Sequence, residues 1–200
     1  MEPFASFGYT GETAFFKHEG LDLTREEVML ATTVIARATS ALGRQTVYDS
    51  PGRMPPFEAI TWPDKAHNDC SGFVDWCLRF SFSRRVDHPF YVRYNGGWFE
   101  TGAIHADGLS SVGYFSEISR GRPGAMLVYP DYTDDKGVVH QGHIGIVLEA
   151  DGDGVSGVTK VIHCGYTAWK TSGDAVQVSG SAIWQGHRNS ILVWFDGLDG

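Results

Sequence analysis

A cysteine at the start of a predicted helix is the clearest chemical feature of this sequence. The run Asp-Cys-Ser-Gly-Phe occupies residues 69–73, and Asp69 is a residue type that caps helix N-termini well. Unpaired backbone N–H groups and the helix dipole favour an anion at this end, so we expect the pKa of the Cys70 thiol to be lowered. A thiolate attacks carbonyl groups, which makes Cys70 a candidate nucleophile; the alternative is a small residue in a buried helix.

Two histidines lie where they can meet on adjacent strands. Residues 141–148 and 158–163 both have strand patterns and are separated by a Gly- and Asp-rich turn, which predicts an antiparallel pair. Alternate side chains of a strand share a face, so His143 and His163 can point the same way, and Gly145 leaves room beside them. A thiol, a base and a group that orients the base form a catalytic triad, and the cysteine with these histidines fits the three roles.

The elements around these residues predict an α+β fold. Before the cysteine, a capping box at residues 24–27 opens a helix that ends at Gly43. Strand patterns dominate the second half of the chain, at residues 125–129, 143–149, 158–164, 175–179 and 191–195. Helices first and antiparallel strands after them are typical of the α+β class, with the helix of Cys70 packed on the sheet.

The order of these motifs resembles the NlpC-type cell-wall cysteine peptidases, a family of the papain-like superfamily. Residues 69–74 are similar to the nucleophile motif of that family, and residues 142–147 are similar to its base motif. Val-Ile-His at 161–163 resembles the segment that carries the third catalytic residue, and residues 122–129 resemble the strand ahead of the base. The resemblance covers roughly residues 40–165, and its motifs are short.

This resemblance implies a papain-like fold and an activity. It implies hydrolysis of peptidoglycan stem peptides between D-glutamate and the diamino acid, with Cys70 as nucleophile, His143 as base and His163 as the orienting residue. Residues 42–48 are similar to the family's segment whose tyrosine lines the oxyanion region, which gives that role to Tyr48.

Asp69 and Ser71 flank the thiol and match residues of the family that grip the substrate. Helix capping is the alternative role for both residues. Both roles are compatible, because a capping side chain also lies at the start of the helix.

Other functions remain open for the same residues. One is an amidase that cuts between glycan and L-alanine, and another is a papain-like acyltransferase or deamidase that acts on a second protein. A binding module that has lost activity is a further alternative, against which the complete set of Cys70, His143 and His163 argues.

Composition predicts one domain over residues 1–200. At 42% hydrophobic residues the chain is long enough to bury a core, with an N-terminal arm at 1–20 and a loop-rich, aromatic insertion at 81–121. The formal net charge of −8 argues against nucleic acid or an anionic membrane as a partner. The sequence does not indicate an oligomeric state. Three cysteines do not make a disulfide framework, and we expect reduced thiols.

Targeting and metal signals are weak. There is no apolar run of membrane-spanning length and no basic, then apolar, leader pattern, so we expect a cytoplasmic protein or export by a leaderless route. His140 and His143 are three residues apart, but a strand places them on opposite faces and no paired Cys-x-x-Cys supports zinc. We therefore predict no metal and no cofactor.

Overall fold

The computed structural model of this chain describes residues 29–51, 53–56, 58–81 and 83–199. These residues form a mixed α+β fold built on an antiparallel sheet, as predicted. The predicted arm at 1–20 and the capping box at 24–27 lie outside the described residues. Within the described part of the chain, no helix is both long enough and apolar enough to span a membrane.

Six helices are found in the described residues. They are α1 (Ala31–Thr39), α2 (Cys70–Leu78), α3 (Pro89–Asn95), α4 (Thr101–Ser110), α5 (Tyr166–Ser172) and α6 (Ala182–Gln185). A single 3₁₀ turn covers Val155–Gly157. The helix α2, predicted from the Asp-Cys-Ser-Gly-Phe run, begins at Cys70.

Half of the twelve strands in the described residues belong to one sheet. The strands are β1 (Met29–Leu30), β2 (Val47–Tyr48), β3 (His67–Asn68), β4 (Phe115–Glu117), β5 (Met126–Tyr129), β6 (Tyr132–Thr133), β7 (Val139–His140), β8 (His143–Ala150), β9 (Val158–Cys164), β10 (Val176–Ser179), β11 (Ile191–Phe195) and β12 (Leu198–Asp199). The main sheet has the order β10-β9-β8-β5-β11-β4, and every neighbouring pair is antiparallel. The five predicted strands correspond to β5, β8, β9, β10 and β11.

Helix α2, which begins at Cys70, is enclosed between the sheet and α1. Every residue of α2 is buried, and the helix contacts β8 and β9 on one side and α1 on the other. Phe73 and Trp76 of α2 pack edge-on against Trp62, with ring centroids 5.2 and 4.9 Å apart. Packing on both sides fixes the start of α2 relative to the central strands, which is what a site at Cys70 needs.

The bounds of the first described helix differ from the predicted ones. Helix α1 begins at Ala31, because Met29 and Leu30 are extended and pair in parallel with Leu198 and Asp199. It ends at Thr39, before the predicted end at Gly43.

The segment 81–121, predicted as a loop-rich insertion, contains three regular elements in its described residues. These are α3, α4 and β4, and β4 is the edge strand of the main sheet beside β11. Tyr91 and Phe99 are fully buried, and the hydroxyl of Tyr91 donates to Asp107 at 2.9 Å. This segment therefore contributes to the core of the described fold.

Candidate active site

The start of α2 is built around the Asp69 side chain. Its backbone is extended, and its Oδ1 accepts the N–H of Gly72 at 2.8 Å, which is the predicted N-cap. Cys70 is 5% exposed, and its thiol lies against the backbone N–H groups of Ser71 and Ile144. Ile144 directly follows His143 on β8, so the packing of α2 on the sheet brings the thiol to the base strand.

The two histidines meet as the strand pattern predicts. β8 and β9 are antiparallel neighbours, and His143 Nε2 lies 2.8 Å from His163 Nδ1. Gly145 is required for this approach, because a Cβ there would lie 2.6 Å from Val161 Cγ1 and 3.0 Å from His163 Cβ. Since Nε2 of His143 is engaged, Nδ1 is the ring nitrogen left to act on the thiol.

A buried tryptophan that the sequence analysis missed fixes both rings. Trp184 of α6 is fully buried, stacks on His143 with centroids 5.3 Å apart, and meets His163 edge-on at 5.3 Å. No pattern in the sequence connects this residue with the histidines, because α6 follows them on a separate part of the chain. Trp184 supplies an apolar wall that holds the imidazoles in place.

The predicted direction of the thiol pKa is wrong for this structure. Burial first and the Asp69 carboxylate second raise the pKa of Cys70 to about 12, and together they outweigh the backbone N–H groups and the Arg84 charge that lower it. Burial also lowers the pKa of His143 to about 3 and that of His163 to about 4. The Cys70 thiol and the two imidazoles are therefore neutral at neutral pH.

Alkylation tests this protonation state. Iodoacetamide should modify Cys70 before Cys77 and Cys164, because Cys70 lines a cleft while the other two side chains are 0% exposed. The rate at Cys70 should keep rising with pH between 7 and 10, since the raised pKa leaves little thiolate at neutral pH. Peptide mass spectrometry of timed samples measures both. A rate that levels off below pH 8 would show a thiolate already formed in the resting protein.

Tyr48 lies where the sequence resemblance places an oxyanion residue. β2 pairs in parallel with β3, which sets Tyr48 opposite Asn68, two residues before the nucleophile. Its hydroxyl is hydrogen-bonded to the Cys70 side chain, and burial, followed by the Cys70 and Asp69 charges, raises the pKa of Tyr48. The hydroxyl thus stays protonated and remains a donor next to the thiol.

The predicted gripping residues Asp69 and Ser71 are both bound to a buried arginine. Arg84 contacts Asp69 Oδ1 through Nη1 at 2.6 Å and Ser71 Oγ through Nη2 at 2.7 Å. Both partners and Arg84 are less than 10% exposed. The structure therefore gives Asp69 the capping role at the start of α2, while Ser71 donates its hydroxyl to the Asp69 carboxylate at 3.2 Å and accepts from Arg84.

Gly72 makes room for this arginine. A Cβ on Gly72 would overlap with the Arg84 guanidinium and the side chain of Asn68, so a larger residue would displace both. Asn68 Oδ1 in turn accepts the backbone N–H of Asp69 at 2.9 Å. The Ser-Gly pair of the cysteine motif is thus explained by a buried polar network beneath the thiol.

Two clefts flank the thiol and the imidazoles. The first has a volume of about 330 Å³ and is lined by Cys70 with Asp69, Ser71, Arg84, Trp98, Glu100, Thr101 and Asp131 among others. The second has a volume of about 410 Å³ and is lined by His143 and His163 with Tyr129, Tyr132, Tyr166, Gln177 and Ile183 among others. Tyr48, Gln141 and Gly142 line both clefts, so a chain-like substrate can pass from one to the other across the thiol.

His140 does not join the pair formed by His143 and His163. It lies on β7, and its Nε2 is 3.0 Å from Asp134 Oδ2. Across the described ranges, no group of three or more His, Cys, Asp or Glu side chains is arranged to hold a metal ion.

Comparison with protein-family models and with curated protein sequences finds no match to this chain.

Proposed function

We propose that this chain is a papain-like cysteine hydrolase of amide bonds. The observation that carries the proposal is the arrangement of Cys70 and His143. Cys70 starts a buried helix and lines a cleft, and its thiol lies against the backbone N–H of Ile144. The residue before Ile144, His143, is bound through Nε2 to His163 and so presents Nδ1 as a base. A nucleophile, a base and a group that orients the base are the parts that acyl transfer requires.

The reaction uses the neutral resting pair. As Cys70 Sγ attacks the substrate carbonyl, its proton passes to Nδ1 of His143, and the tetrahedral oxyanion takes hydrogen bonds from the Cys70 backbone N–H and the Tyr48 hydroxyl. His143 then gives the proton to the leaving amine, which leaves a thioester on Cys70. Water attacks the thioester with His143 as base, and this step releases the acid and restores the thiol.

The leaving amine must lie on the side of His143, because that residue protonates it. The second cleft therefore takes the leaving portion, and the first takes the acyl portion. Tyr129, Tyr132 and Tyr166 line the second cleft and offer apolar ring faces to an aliphatic chain.

Peptidoglycan stem peptides are the proposed substrate, cut between D-glutamate and the diamino acid. The support is the resemblance of the cysteine, histidine and tyrosine motifs to the NlpC-type peptidases. The first cleft adds a second line of support, because Glu100 and Asp131 line it together with Cys70. Their carboxylates attract the free amine of a trimmed stem through charge-assisted hydrogen bonds.

Digestion of purified peptidoglycan and of isolated muropeptides tests the proposal. Mass spectrometry of the fragments should identify products cut at the D-glutamyl–diamino acid bond, and Cys70→Ala should release none. Whole stem peptides freed from glycan would make the chain an amidase instead. If wall and muropeptides both stay intact while the protein is folded and its Cys70 reacts with iodoacetamide, peptidoglycan is the wrong substrate.

A further inference from the structure

The orienting histidine is itself held by a hydroxyl on the next strand. β10 pairs with β9, and Gln177 lies directly opposite His163. Ser179 is two residues further along β10, and its Oγ is 2.9 Å from Nε2 of His163. Both ring nitrogens of His163 are thus engaged, Nδ1 by His143 and Nε2 by Ser179.

The hydroxyl of Ser179 has a second partner that sets its direction. Its Oγ donates to the backbone carbonyl of Gly180 at 3.1 Å. A serine hydroxyl carries one proton, so a hydroxyl that donates to Gly180 is an acceptor toward His163. Nε2 of His163 must then carry the ring proton, and Nδ1 must carry the lone pair.

The tautomer of His163 also fixes which histidine donates in the hydrogen bond between His143 and His163. Because Nδ1 of His163 is an acceptor, His143 donates to it through Nε2–H. A neutral imidazole holds one ring proton, which leaves Nδ1 of His143 bare. The opposite tautomers would place a proton on that nitrogen, and His143 could not then accept the proton of the thiol.

Among the described residues, no carboxylate contacts the ring of His143 or His163, so no carboxylate fixes their tautomers. The partners given for the rings are each other, Ser179, Gln177 and the rings of Trp184 and Tyr129. Gln177 places its amide nitrogen 3.4 Å from His163 Nε2, a longer contact that would favour the opposite tautomer in this amide orientation and the same tautomer when the amide is turned to present its oxygen. The nearer Ser179 hydroxyl therefore decides the direction of the chain.

We propose that Ser179 is a positioning residue that fixes the tautomer of His163 and, through it, keeps Nδ1 of His143 free to act as a base. This role deepens the proposed hydrolase function and rests on it. The relay itself is a property of the resting protein, however, so it can be measured without a substrate.

The experiment compares Ser179→Ala with Ser179→Thr, which keeps the hydroxyl. Long-range ¹H–¹⁵N spectra at pH 7 report which nitrogen of each ring is protonated. Wild type and Ser179→Thr should show Nε2–H on both His143 and His163, whereas Ser179→Ala should populate Nδ1–H forms. With muropeptide substrate, kcat of Ser179→Ala should fall about five- to tenfold, the factor that one hydrogen bond carries, with KM nearly unchanged.

Val178→Ala is the matched control, because Val178 lies on β10 between Gln177 and Ser179. Its side chain is on the opposite face of the strand from theirs and is 40% exposed. Val178→Ala should have the same tautomers and the same kcat as wild type. If its kcat fell as much as that of Ser179→Ala, the loss would be due to a disturbed strand β10 and not to the missing hydroxyl. Unchanged tautomers in Ser179→Ala, or Nδ1–H on wild-type His143, would overturn the relay. Tautomers that change as stated, in a protein that cuts no wall substrate, would uphold the relay and reject the hydrolase.

Discussion

Replacing His143 by alanine should lower kcat for stem-peptide cleavage by at least about 10⁴-fold, because no other described side chain offers a base at the thiol. The pKa of the Cys70 thiol is raised to about 12, so very little thiolate forms at neutral pH unless a base takes the proton. The rate therefore depends strongly on His143. Single-turnover assays on muropeptides measure the loss. The double variant Cys70→Ala/His143→Ala should be no slower than Cys70→Ala alone, because the two residues act as one unit.

His163→Ala separates the base from the residue that orients it. Its loss should be smaller, about 10²-fold, because Trp184 still packs against the His143 ring when His163 is gone. His105→Ala is the matched control, since His105 lies on α4, lines neither cleft and is bonded to the Asn189 carbonyl. It should retain kcat close to wild type. Wild-type rates in both His143→Ala and His163→Ala would reject the catalytic pair.

The parts of the site that the sequence predicted are those with local signals. Asp69 three residues before Gly72 is a capping pattern, and it located the start of α2. Alternation along β8 and β9 predicted that His143 and His163 share a face, because a strand has a period of two residues. The histidine pairing followed once the turn between the strands had been recognised.

The parts that were missed come from distant segments or from burial. Arg84 reaches Asp69 across 15 residues, and Trp184 and Ser179 come from elements that carry no motif. A sequence does not state how deeply a thiol is buried, and burial reversed the expected pKa of Cys70.

For α3 a usable signal was present, with Pro89 at the first turn and Gly96 in the left-handed cap at φ 76°. α4 begins after Glu100, a residue type that is uncommon as an N-cap, so its start was harder to find. The segment was predicted to be a loop-rich insertion that contains several aromatic residues, and two of these, Tyr91 and Phe99, are fully buried.

Replacing Arg84 by methionine should destabilise the fold by roughly 3–5 kcal/mol, the usual cost of removing one partner of a buried ion pair. The Asp69 carboxylate would be left enclosed without the guanidinium, and Ser71 would lose its donor. That loss is a large share of the roughly 5–15 kcal/mol that holds a domain together. Urea unfolding, followed by tryptophan fluorescence, measures it.

Two further variants decide whether the ion pair is the cause. Arg85→Met is the matched control, because Arg85 is exposed, lies over the same Trp98 ring and bonds the Gly96 carbonyl. It should change stability by no more than about 0.5 kcal/mol. Arg84→Met/Asp69→Asn should regain part of the loss, since the asparagine oxygen still accepts the Gly72 N–H while the buried charge is gone. Equal midpoints for Arg84→Met and Arg85→Met would mean that the helix carrying Cys70 is held by its packing on β8 and α1 alone.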